Sequence, residues 1–110
     1  INGDGLQTRD FVHVDDVAAA NLLALERADV TGPVNIGTGV ETSVNAICAA
    51  LSKAAGSSVD AVHAPARPGE QRRSCLSPRL AERVLGWRPT VPLGDGLIQT
   101  LDHFRKETKR

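Results

Sequence analysis

Arginines carry the chemistry that this sequence could perform. Arg9 stands in a mixed polar and apolar run, residues 8–14, beside Asp10. Arg67 stands in a proline- and glycine-containing loop, residues 64–71, which also holds Glu70, and Arg72 and Arg73 follow closely. A guanidinium presents a planar fork of donors that suits phosphate oxygens. Such a cluster either clamps a phosphate or forms an ordinary basic surface, and the spacing leaves both readings open. Arg9 taken alone reads as a surface side chain, either solvated or salt-bridged, with Asp10 one candidate partner. Gly37-Thr38-Gly39 could bring backbone close to a ligand. It lacks the G-x-G-x-x-G spacing and the lysine of a phosphate-binding loop, and is better read as a tight turn. His13, His63 and His103 show no metal-ligand spacing with Cys48 or Cys75. Cys48 falls on an apolar stripe, and Asp15 and Asp16 read as acids of a helical first turn rather than a catalytic pair.

These residues need elements to hold them. Residues 8–14 read as a short extended segment. Asp15 and Asp16 then open a helix over 15–28, with Val14, Ala18, Leu22 and Leu25 at helical spacing. Thr31-Gly32-Pro33 breaks it, and residues 34–37 read as a buried strand. Thr42 and Ser43 offer caps for a helix whose stripe is Val44, Ile47, Cys48, Leu51 and Ala55, stopped by Gly56. Residues 59–63 read as a further strand. Ser77-Pro78 predicts a helix start, with Ser77 as cap and Pro78 in the first position, and Gly86 the stop. Trp87 is expected to pack back on that helix, and His13 to hydrogen-bond at the entrance of the first. Leu93, Leu97, Leu101 and Phe104 define a last helix, with residues 106–110 a fraying tail. Strands alternating with helices predict an α/β fold.

Composition narrows the function. The chain has 110 residues, enough for one small domain, with 13 basic and 13 acidic side chains. That balance argues against nucleic-acid binding and against a polybasic membrane surface. Charge is nonetheless uneven: residues 1–55 hold three basic and seven acidic side chains, and residues 56–110 hold ten and six, so an anion site should draw on the second half. There is no apolar run of membrane-spanning length and no signal-peptide pattern. Two cysteines make no disulfide framework, and the expected compartment is the reducing cytoplasm. The chain has no Met and no Tyr. It therefore reads as a fragment or processed product, without phenol chemistry of its own.

Several segments together resemble one family. The run Gly3-Asp4-Gly5-Leu6-Gln7-Thr8-Arg9-Asp10-Phe11-Val12-His13-Val14-Asp15-Asp16-Val17-Ala18 is the most specific. Asn35-Ile36-Gly37-Thr38-Gly39, Thr42-Ser43-Val44, Arg67-Pro68-Gly69-Glu70 and Leu85-Gly86-Trp87-Arg88-Pro89 follow in order. They resemble the C-terminal part of the NAD-dependent nucleotide-sugar epimerases and dehydratases, which are extended short-chain dehydrogenase/reductase enzymes. UDP-glucose 4-epimerase is the nearest type. The resemblance implies an α/β fold in which residues 1–110 form the C-terminal, NDP-sugar-binding portion of a Rossmann-type enzyme. The N-terminal NAD-binding domain, with its glycine fingerprint and its Tyr-x-x-x-Lys pair, would be absent.

The same resemblance implies roles. Arg9 and Arg67 would contact the diphosphate of a UDP-sugar. Phe11 would lie near the nucleotide, Val44 would pack by the base or ribose, and Glu70 would accept from ribose hydroxyls. The implied parent enzyme oxidises C4 of a UDP-hexose with NAD and returns the hydride to the other face. The fragment would bind weakly, hold no cofactor and catalyse nothing. A dehydratase or decarboxylase parent is the alternative, and a non-catalytic nucleotide-binding module is another. A homo-oligomer is expected, because a chain cut from its sheet would expose Leu22, Leu25, Val34 and Ile36.

Overall fold

Helix ends follow the local signals, with small shifts that have physical reasons. The computed structural model describes residues 1–108. Helix α1 is Val14–Glu26, and the His13 ring caps it by accepting from the Asp15 amide at 3.1 Å through Nδ1. A histidine cap places the first turn one residue earlier than Asp15. Helix α2 is Val44–Ala55, capped by Ser43 Oγ accepting from the Ala46 amide at 3.1 Å. Gly56 ends it in the left-handed region at φ 64°. Helix α3 is Arg79–Leu85, ended by Gly86 at φ 68°. Pro78 stands at its cap position and cannot offer a side-chain acceptor, so Ser77 Oγ reaches past it to the Arg79 amide at 3.3 Å. Helix α4 is Leu93–Thr108, so residues 106–108 continue the helix where fraying was expected; the rest of that tail, residues 109–110, lies outside the described residues.

Two strands form one small antiparallel ladder. β1 is Thr8–Arg9 and β2 is Thr42–Ser43, with Thr8 opposite Ser43 and Arg9 opposite Thr42. The other edge of β1 also has a neighbour, because the Thr8 amide donates to the Arg72 carbonyl at 2.8 Å. The strand expected over residues 34–37 does not form. Val34 and Ile36 pack against the core and Asn35 is exposed, which is strand-like alternation. A ladder also needs a partner, however, and no described segment supplies one. The strand expected over 59–63 is replaced by a slightly later pairing with the start of the chain. The Ile1 ammonium donates to the Val62 carbonyl, the Ala64 amide to Ile1, and the Gly3 amide to Ala64, all between 2.7 and 2.8 Å.

The core is small and lies between α1 and α3. Ala20, Ala81, Leu85 and Trp87 are its buried apolar residues, flanked by Val12, Leu23, Val30, Val34, Ile36 and Val84. Trp87 does pack back on the helices, and its indole Nε1 donates to the Asp16 carbonyl at 2.8 Å. Asp16 is more than a first-turn acid. It is 3% exposed and its carboxylate gathers the Thr90 amide and hydroxyl and the Val91 amide at 2.8 to 3.1 Å. That contact fixes the link into α4. Helix α4 packs in turn on α2, where Arg105 Nη2 donates to the Ala55 carbonyl at 3.2 Å.

Candidate functional site

The site is built around β1. Two acceptor carboxylates on either side of it bring together segments that are distant in sequence. Asp10, just after β1, accepts from the Thr38 amide and hydroxyl, the Gly39 amide and the Leu76 amide. Burial pushes the Asp10 carboxyl up, but those hydrogen bonds outweigh it and hold it below its ordinary value of 3.8. Gly37 permits the close approach: a Cβ there would stand 2.6 Å from Leu76 Cβ and 2.8 Å from Asp10 Oδ2. Glu41, just before β2, accepts from the Thr8 hydroxyl at 2.8 Å and from Arg73 through a two-point contact at 2.9 and 2.6 Å. Arg73 and Thr8 hold the Glu41 carboxyl down to about 2.

The segment 67–76 is thereby strapped across the free edge of β1. It begins with a turn in which the Glu70 amide donates to the Arg67 carbonyl at 3.3 Å, with Pro68 and Gly69 between them. Gly69 has φ 79°, and Pro followed by Gly is a pair that a type II turn favours. Arg9 lies beneath. Its Nη1 donates to the Thr8 and Gln71 carbonyls at 2.6 and 2.8 Å, and its Nη2 faces Glu70 Oε1 at 3.4 Å. Arg67 makes no side-chain hydrogen bond among the described residues, and it is exposed. The remaining arginines of the cluster are engaged. Arg72 takes Asp4 at 2.9 and 3.2 Å, and Arg73 takes Glu41. In this structure both are paired with carboxylates.

Arg67 and Glu70 line a cavity of about 140 Å³ with Asn2, Gly3, Gln7 and neighbouring strap residues. Sequence reasoning passed over Gln7. It is 5% exposed, and its Nε2 donates to the Asn2 carbonyl at 3.0 Å and more weakly to Glu70 at 3.5 Å. Its Oε1 is buried without a donor among the described residues. Such an orphan beside a cavity is the signal that only a structure supplies.

Of the five residues singled out from the sequence, the structure sets Arg67 and Glu70 on this cavity and Arg9 against Glu70, with Arg9 outside the cavity lining. It does not bring Phe11 and Val44 to that cavity. Phe11 lines a separate apolar cavity of about 330 Å³ with Thr38, Val40, Thr42, Val91 and Leu93. Val44 opens α2, and its amide donates to the Gln7 carbonyl at 3.1 Å. A dinucleotide finds no phosphate cradle at Gly37-Thr38-Gly39, because the Thr38 and Gly39 amides are already given to the Asp10 carboxylate.

Arg67, Glu70 and the buried Gln7 amide line this cleft, and Arg9 reaches it only through Glu70. Residues 1–100 match the family described as GDP-mannose 4,6 dehydratase. The chain belongs to that family, the nucleotide-sugar epimerases and dehydratases. A UDP-glucose 4-epimerase of Mycolicibacterium smegmatis is 41% identical over 109 residues, which are 99% of this chain and 35% of that protein. The crystal structure of a UDP-glucose 4-epimerase from Thermotoga maritima, with UDP-glucose, superposes with a TM-score of 0.93 at 44% identity, covering 98% of this chain and 35% of that one. A Thermus thermophilus UDP-glucose 4-epimerase, in complex with NAD, gives a TM-score of 0.85 at 42% identity, covering 94% and 32%. The α/β expectation thus holds for the epimerase and dehydratase fold of which this chain is a part. The chain spans about 35% of the length of the curated relative.

Proposed function

We propose that this chain is the nucleotide-sugar-binding portion of an NAD-dependent epimerase acting on a UDP-hexose. One observation carries the reading: the strap brings Glu70 onto Arg9, 61 positions away in sequence, and sets Arg67 and Glu70 on one cleft. Two guanidinium forks suit a diphosphate, and a carboxylate suits the vicinal hydroxyls of a ribose. Arg9 Nη2 and the Arg67 fork would hold the diphosphate, with Glu70 turning from Arg9 to the ribose. The orphan Gln7 oxygen would accept from a ligand hydroxyl or imide N–H. Phe11 and Val44 would flank the nucleotide outside that cleft.

The cleft is too small for a whole nucleotide sugar, whose pockets run to about 300 Å³ and more. The sugar and the NAD would therefore lie against a portion of the protein outside these residues. That portion would also supply the phenol that the chain lacks, since the sequence holds no Tyr. The chain alone would bind UDP and turn nothing over, and it would work in the cytoplasm within a homo-oligomer. A dehydratase or decarboxylase parent is the second reading, favoured by the dehydratase family that matches residues 1–100.

The test is a UDP titration of the 110-residue chain, followed by amide NMR, repeated with Arg9→Ala and Arg67→Ala. Saturable shifts around Arg9, Val44, Arg67 and Glu70 that disappear in both variants are expected. Shifts that persist unchanged in both variants would move the diphosphate elsewhere.

A further inference from the structure

We propose that Glu41 is a positioning residue for this site: it ties β1 to the strap through Thr8 and Arg73, and so holds the Arg67–Glu70 turn over Arg9. The proposal rests on the reading of Arg9, Arg67 and Glu70 as the diphosphate and ribose contacts.

Three observations carry it. First, Glu41 Oε1 is shared by two donors from different segments, Thr8 Oγ1 at 2.8 Å and Arg73 Nε at 2.9 Å, while Oε2 takes Arg73 Nη2 at 2.6 Å. A carboxylate used in this way fixes both partners relative to each other, and a two-point guanidinium contact fixes orientation as well as distance. Second, Thr8 is bound to the strap by its main chain as well, through its amide to the Arg72 carbonyl at 2.8 Å. The Glu41 contact therefore bears on the same hydrogen bond that joins strap to strand. Third, the next residue on β1 is Arg9, whose Nη1 grips the Gln71 carbonyl at 2.8 Å. Glu70, the residue that faces Arg9 Nη2, is the immediate neighbour of Gln71. Slackening at Arg73 would thus pass within three residues to the contact between Arg9 and Glu70.

The other ion pair on the strap, Asp4 with Arg72, differs in kind. Both of its side chains are more than half exposed, against 27% for Glu41. Exposed pairs contribute little to stability. A carboxylate that also accepts from Thr8 within the β-ladder has more to hold. Arg73 itself is 78% exposed, so loss of the contact should leave the global fold largely intact while loosening the strap.

The experiment compares the wild-type chain, Glu41→Gln, and the reversed pair Glu41→Arg with Arg73→Glu. It uses two readouts: UDP affinity, and hydrogen exchange of the Thr8 amide in the absence of UDP. We expect Glu41→Gln to weaken UDP binding roughly fivefold, in keeping with one partly exposed charged contact. Thr8 exchange should quicken by a similar factor, with amides of α2 and α4 unchanged, and the reversed pair should recover part of both. Unchanged Thr8 exchange in Glu41→Gln overturns the proposal, and so does quickened exchange with unaltered UDP affinity. If the wild-type chain binds no UDP at all, the nucleotide reading fails, and Thr8 exchange with its recovery in the reversed pair decides whether Glu41 holds the strap.

Discussion

Asp16 shows what one buried carboxylate can do without touching a ligand. It gathers three donors from residues 90 and 91, which lie 74 and 75 positions away. Burial pushes its carboxyl up, yet the Val91 and Thr90 hydrogen bonds, with the nearby His13 ring, bring it below 3.8. A carboxyl lowered on folding adds stability that is present above its unfolded pKa and is lost as pH falls through the folded one. Asp10 is lowered in the same sense. The chain should therefore hold its stability from neutrality down to about pH 4 and lose it below that. Asp16→Asn turns an amide NH₂ toward backbone donors and should cost about 2 kcal/mol at pH 7. It should also flatten part of the acid loss. Urea unfolding at pH 7 and pH 3, followed by the emission of the single Trp, reads both effects, since Trp87 is 1% exposed and bonded to the Asp16 carbonyl. An acid loss as steep in Asp16→Asn as in the wild type would remove Asp16 from the account. Trp87→Phe keeps the ring but loses the indole N–H and some volume, and should cost about 2 kcal/mol in the same assay, monitored by circular dichroism. The sequence marked Asp16 only as a helix-start acid, because nothing local reports an acceptor's partners so far along the chain. Arg72 and Arg73 were ambiguous for the same reason: their carboxylates are Asp4 and Glu41, 68 and 32 positions away.

At the scale of elements, short-range chemistry was readable and pairing was not. Ser43, Gly56, Gly86 and the stripe of α2 placed their helices because caps and periodicity act within a few residues. Residues 34–37 have strand composition, but a strand is a relation between two segments, and its composition does not say where the second one is. The strap was legible in part. Arg67-Pro68-Gly69-Glu70 reads as a turn, whereas its docking on β1 depends on Arg9, Glu41 and Asp10 in concert. Gly69 offers a test at this scale. A Cβ there would meet nothing within 4 Å, so a substitution is opposed only by the backbone at φ 79°. Ala in the left-handed region costs about 1–2 kcal/mol, and Asn less, because it tolerates that conformation. We expect UDP affinity to fall in the order Gly69, Asn, Ala, with Ala weaker by about fivefold to tenfold if the turn opens. The urea midpoint should fall as well, by no more than this strain, because the turn can open to relieve it. Equal affinity in all three would mean that the turn's shape does not matter to binding.

The whole molecule is short of partners for its apolar surface. On α1, Leu22 and Leu25 are 61% and 81% exposed, and Val14 and Val17 are exposed as well. The same helix also borders an open cavity of about 210 Å³, through Ala20 and Ala24, which Val34 and Ile36 line as well. The main-chain groups of Val34, Asn35 and Ile36 make no hydrogen bond among the described residues. Unpaired backbone next to apolar side chains is a template for association. Burying Leu22 and Leu25 on two copies would yield roughly 8 kcal/mol at about 2 kcal/mol per leucine. Association costs about 4–15 kcal/mol before any contact is made. The leucines alone therefore about break even, and Val14, Val17 and pairing of residues 34–36 decide the sign. Weak association of the 110-residue chain is the expected result, monomeric at about 1 μM and self-associated at about 100 μM. Sedimentation velocity across that range tests it, together with Leu25→Glu, which places a charge at the most exposed residue of the patch and leaves the buried core untouched. A wild-type chain that stays monomeric at 1 mM, or a Leu25→Glu chain that associates as strongly, would show that this face does not drive assembly. UDP affinity should be the same in Leu25→Glu and wild type, because no hydrogen bond or ion pair among the described residues joins α1 to the strap; a change there would join the two surfaces in a way the packing does not predict.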